Sequence, residues 1–137
     1  MTNPNDERTA LRAKLLDAPQ TPVSRAALRW IELANDVEHH TGRLNKLRSD
    51  NSDKTMVNFI DQRLKTLRND YVKAAMDLAD IPARNARDIF CKLMAATQTE
   101  PNTKGAAEIL FELSQSSRQD LKTFLNYAEA RKSKTSE

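Results

Sequence analysis

The stretch Glu38-His39-His40-Thr41-Gly42-Arg43-Leu44 holds both histidines of the chain and one of its two glycines. An imidazole between a carboxylate and a guanidinium suits phosphoryl transfer, because the carboxylate orients the ring and the guanidinium meets the phosphate. Asp36 lies four residues before His40 and Arg43 three residues after it. His40 is therefore the phosphoacceptor candidate, with Arg43 and, from a neighbouring helix, Arg63 as its basic partners. Histidine phosphotransfer modules carry a basic residue at this spacing, but their glycine follows it, whereas Gly42 precedes Arg43. The preferred reading is an ordinary pair of solvated histidines on a helix face, with Asp36 and His40 as an i,i+4 contact.

Other residue types are weaker chemical candidates. Glu32, Asp36, His39 and His40 crowd one side of a helix, yet a metal needs three or four converging ligands and Arg63 would repel a cation. No metal site and no cofactor are expected. Cys91 has Arg87 one turn before it and Lys92 beside it, which would favour a thiolate, but no histidine is near enough in sequence to act as a base. It is read as a half-buried helix cysteine. Thr103-Lys104-Gly105 lacks the residue order and the preceding strand of a phosphate loop, so it is read as a helix start. No nucleophile is paired with a base, and no catalytic constellation emerges.

Composition dictates the elements that carry these residues. In 137 residues, Leu and Ala number 32 against 9 for Val plus Ile, with only two glycines, so the chain leans to helix and away from sheet. An all-α single domain spanning 1–137 is expected, with 1–5 and 132–137 as disordered tails. A lone cysteine excludes an internal disulfide framework, and no apolar run approaches the ~18 residues of a membrane span. The polar N-terminus and single cysteine suit a cytoplasmic protein without a membrane partner.

The periodicity predicts a long antiparallel helical hairpin, about 22–48 and 53–79, with four shorter helices packed at its loop-distal end. Thr21-Pro22 is the start signal of the first arm, and Ser52 the expected cap of the second. The first arm's seam is Val23, Ala27, Trp30, Ala34, Val37, Thr41, Leu44; the second arm's is Val57, Ile60, Leu64, Leu67, Tyr71, Ala74, Leu78. Folded back on one another, the two seams meet level by level in constant register, Leu44 against Val57 and Trp30 against Tyr71. Trp30 and Tyr71 are thus core residues rather than a ligand box. The shorter helices are expected at about 6–18, beginning at Asp6, and at about 83–97, 104–115 and 118–131. Ser117 with Asp120 three residues on resembles a capping box, which places a kink near Ser116 and Ser117.

The loop end of the hairpin is where contacts are expected. Leu47 and Phe59 lie off the seam there, and Thr41 with Gly42 makes the one weak level, open to close approach by a partner helix. Seven basic residues against three acidic ones lie between His39 and Arg68. Thr41, Gly42, Leu47, Phe59, Arg43, Lys46 and Arg63 form the expected interaction surface. The leading expectation is a small helical interaction or regulatory protein that binds a protein partner, in the simplest version another copy of itself. The alternatives are a His40 phosphotransfer-like module and a weak, salt-sensitive nucleic-acid binder using the basic tip.

Overall fold

A computed structural model describes residues 3–51, 53–100 and 103–135. They form five helices and no strand: α1 (Pro4–Leu16), α2 (Pro22–Ser49), α3 (Lys54–Asp80), α4 (Ala86–Thr97) and α5 (Ala106–Thr135). The expected all-helical class holds. No helix among the described residues is long and apolar enough to cross a membrane.

Side chains set most helix starts. Thr21 Oγ1 accepts from the Ser24 amide (2.9 Å), while the Thr21 amide donates to Ser24 Oγ (2.7 Å), a reciprocal capping box with Pro22 in the first turn. The expected cap Ser52 lies outside the described residues; Asp53 caps α3, accepting from the Thr55 amide at 3.0 Å. Asn3, rather than Asp6, caps α1, which leaves Asp6 in the first turn, where its charge favours the exposed amides. Asn85 caps α4, so that helix starts three residues later than its periodicity suggested.

The C-terminal region corrects the sequence reading most. The two expected helices at 104–115 and 118–131 are one continuous helix of 30 residues, unbroken at Ser116 and Ser117. Ser117 Oγ donates to the carbonyl of Leu113 inside the helix (2.8 Å), and the Asp120 carboxylate turns to another helix instead of capping Ser117. The helix also continues through Lys132 to Thr135, across most of the stretch expected as a tail. At the other end, Pro4 and Asn5 are already helical.

Two apolar clusters make the core. The larger takes Leu11 and Leu15 from α1, Trp30 and Ile31 from α2, Leu67 and Leu78 from α3, Cys91 and Met94 from α4, and Ile109 and Leu113 from α5. The smaller is built by α2 and α3 alone, from Leu44, Ile60 and Leu64 with Val37, Leu47 and Val57 against them. Trp30, early in α2, packs on Tyr71, late in α3, with ring centroids 6.2 Å apart; Leu44, late in α2, clusters with Ile60, early in α3.

Four buried charged residues, Lys92, Asp120, Asp88 and Arg8, lock these helices. Lys92, with no exposed surface, donates from Nζ to Asp120 Oδ2 (2.5 Å) and Ser116 Oγ (2.7 Å), joining α4 to α5. The other oxygen of Asp120 accepts from the Ala83 amide at 3.2 Å, holding the segment between α3 and α4. Asp88 accepts from the Thr21 hydroxyl (2.7 Å) and the Arg84 amide (2.8 Å), tying the start of α2 to the start of α4. Arg8 of α1 donates to Asn35 (2.8 Å), Gln98 (2.8 Å) and the Glu38 carboxylate.

Removing one member of a buried pair leaves the other charge uncompensated, at a cost of roughly 3–5 kcal/mol. Lys92→Met should lower unfolding stability by about that much in urea titration. Lys92→Met combined with Asp120→Asn, which keeps an acceptor for the Ala83 amide and removes the stranded charge, should recover most of the loss.

Candidate functional site

The histidine pair sits on α2 with little around it. His40 Nδ1 lies 2.9 Å from the carbonyl oxygen of Asp36. That oxygen can only accept, so the ring donates to the backbone, and the Asp36 carboxylate does not orient it. His39 is exposed and meets His40 edge-on, centroids 5.4 Å apart. Among the described residues, neither Arg43 nor Arg63 makes an ion pair or hydrogen bond with His40; both are exposed. The carboxylate, imidazole and guanidinium that would make a phosphoacceptor site are not brought together. No group of three or more His, Cys, Asp or Glu side chains among the described residues is arranged to hold a metal.

Near the turn between α2 and α3, Leu47 packs half-buried on the smaller cluster, while Phe59 stays 67% exposed. Thr41 is half-buried and Gly42 exposed, and a Cβ built on Gly42 would meet no atom within 4 Å. Among the described residues, then, no helix approaches closely at Gly42. Lys46 is exposed; Arg48 and Lys65 both lie near Asp61, at 3.9 and 3.7 Å, which offsets part of the basic excess.

A larger feature opens on the opposite side of Thr41. A cleft of about 640 Å³ is lined by Arg8, Ala34, Val37, Glu38, Thr41, Arg68, Tyr71, Gln98, Glu100, Thr103 and Lys104. Its back wall is fixed by Arg8, which is 4% exposed and held by Asn35, Glu38 and Gln98. Its floor is apolar, from Ala34, Val37 and the Tyr71 ring. Sequence reasoning missed it because its residues come from three helices and the segment that follows α4. Arg8 did carry a trace of its role: it stands three residues before Leu11 and seven before Leu15, on the buried stripe of α1.

The second surface runs over α4 and α5. Phe90, Leu93, Leu110, Phe111, Leu121, Leu125 and Tyr127 are all exposed. From Leu121 to Lys132 every residue is exposed except half-buried Phe124. At 100° per residue, Leu121, Phe124, Leu125 and Ala128 share one side of that helix, an apolar stripe that the other described residues cover only in part, at Phe124.

The buried polar groups bond one another between helices. Ser116, Lys92 and Asp120 lie in a row resembling a nucleophile, a base and its orienting acid. An ammonium bonded to a carboxylate, however, is a donor and accepts no proton. Cys91 is fully buried, not half-buried, and burial followed by the nearby Asp88 charge pushes its thiol up to about 12, against a smaller lowering by Arg87. The expectation that its basic neighbours favour a thiolate is thus reversed.

Compared with protein-family models, with curated proteins and with solved structures, the chain finds no match.

Two measurements follow from this geometry. Cys91 should resist iodoacetamide at pH 8 in the folded protein and react once denaturant unfolds it. Its raised pKa gives stability that is complete below the unfolded thiol value and falls as pH rises from there towards about 12, so wild type, but not Cys91→Ala, should lose stability with this slope. Gly42→Ala, in open space within a helix, should stabilise the fold by about 1 kcal/mol in urea titration.

Proposed function

We propose that this chain is a helical interaction protein that works by binding other proteins, and that α4 with α5 forms its main docking surface. One observation carries this reading. Of ten large hydrophobic side chains exposed among the described residues, seven lie on α4 and α5. Singly scattered apolar residues on a surface are ordinary, whereas a concentration on one pair of helices marks a contact region.

Helix physics supports the same assignment. An isolated helix of fewer than about 15 residues is marginal in water, and packing of an amphipathic face supplies most of its stability. The segment from Leu121 onward has such a face but little to pack it on. Docking on a partner would bury Leu121, Leu125 and Ala128 and complete the stripe. Arg118 and Lys122 flank its start, so an acidic partner surface fits better there than a like-charged one.

The hairpin tip is the secondary surface. In this reading α2 and α3 form a long antiparallel hairpin whose loop end, built on the smaller cluster alone, stands clear of the other helices. It presents Phe59 and Met56 with Arg43, Lys46 and Arg63 around them. Arms of two copies laid side by side would make a four-helix bundle, the self-associating form of the same function.

Affinity capture from the native extract, with wild type, Leu121→Asp/Leu125→Asp and Phe59→Asp as baits, tests the assignment. The expected result is a partner held by wild type and Phe59→Asp and lost from the α5 variant, all three melting alike. The same partners on every bait would remove α5 as the surface, and loss only from Phe59→Asp would move it to the tip. Sedimentation at two micromolar concentrations reports whether the partner is a second copy.

A further inference from the structure

We infer that the cleft between α1, α2, α3 and the α4–α5 connection binds a small organic anion, one carboxylate or phosphate carried on an apolar body. The inference is independent of the docking surface on α5, which lies on other residues.

Size and lining come first. A volume of about 640 Å³ lies within the range of small-molecule sites, which are commonly apolar with a few fixed polar groups. Ala34, Val37 and the Tyr71 ring supply the apolar part, and Tyr71 is held from behind by Trp30.

Charge gives the class of ligand. Arg8 and Glu38 neutralise one another across the cleft wall. Arg68 and Lys104 are both exposed at the rim, and neither makes an ion pair among the described residues; only Glu100 opposes them. The lining therefore carries a net positive charge.

Geometry gives the anchor. A guanidinium has five N–H groups, and Arg8 uses three of them, one each for Asn35, Gln98 and Glu38. Among the described residues, two N–H groups remain without a partner on a side chain that is 4% exposed and lines the cleft. Its orientation is fixed before any ligand arrives, which lowers the ordering cost of binding. A carboxylate or phosphate placed between Arg8, Arg68 and Lys104 would meet donors on both sides, with its apolar body over Val37 and Tyr71.

The chain's single tryptophan reports on this site, because Trp30 packs on Tyr71. Its emission should be followed while phenylacetate, phenyl phosphate and the uncharged phenylethanol are added to the full chain. At least one anion should give a saturable change, and the tighter of the two identifies the headgroup. The alcohol should bind at least about tenfold more weakly. Arg68→Glu/Lys104→Glu, at two exposed positions, should weaken the anion by about tenfold or more, whereas Glu38→Gln, which frees the Arg8 guanidinium, should tighten it severalfold. The inference is overturned if neither anion saturates up to about 10 mM, if the alcohol binds as tightly, or if the charge-reversed variant binds the anion unchanged.

Discussion

The ammonium of Lys92 has no contact with water, and the arrangement of α4, α5 and the connection before α4 depends on satisfying it. Apolar burial is nondirectional and would accept several helix registers. An ammonium bonded at once to Asp120 and Ser116 accepts one, because those two residues stand one turn apart on α5. Asp120 passes the constraint to the backbone at Ala83 through its second oxygen. One turn before Lys92, Asp88 does the same for the start of α2, through Thr21, and for the backbone at Arg84. Helix ends that would fray are thereby held by carboxylates whose charge is itself sheltered.

Arg8 is the counterpart on the other side of the molecule. It brings α1 onto α2 through Asn35 and Glu38 and onto the end of α4 through Gln98. The result is a rigid wall with an apolar floor beneath it and two exposed cations at its rim. The same bonds that stabilise the fold shape the cleft, so the proposed ligand would enter a site that folding has already built.

Helix length decides where surface is left over. At ~1.5 Å per residue, α4 with its 12 residues is roughly 18 Å long and α5 with its 30 roughly 45 Å. A helix that outruns its neighbour must leave part of its apolar stripe uncovered. The buried positions of α5, Ala106, Ile109, Leu113, Ser117 and Asp120, end at Asp120, and Leu121 and Leu125 beyond it are exposed. The interior, by contrast, leaves one buried side-chain nitrogen without a partner among the described residues, Trp30 Nε1. Such a group costs about 1–3 kcal/mol, offset by complete burial of the largest side chain in the core.

The sequence alone determined the helical class, the Thr21-Pro22 start of α2, and the core places of Trp30, Tyr71, Leu44 and Ile60. Each follows from local rules, a cap residue or an apolar repeat of 3.6 residues, which act within a few turns of chain. It also placed His39 on an open helix face, where the structure finds it exposed. What it misjudged shares one cause. Ser117 and Asp120 carry the pattern of a helix cap, yet they lie within an unbroken α5, because Lys92, 28 positions away, offers Asp120 a better partner. Cys91 was read as half-buried, yet packing buries it fully and turns the neighbouring Lys92 away to Asp120. The cleft was invisible for the same reason: Arg8, Glu38, Tyr71, Gln98 and Lys104 meet only when separate helices pack, and no spacing along the chain records a distance across it.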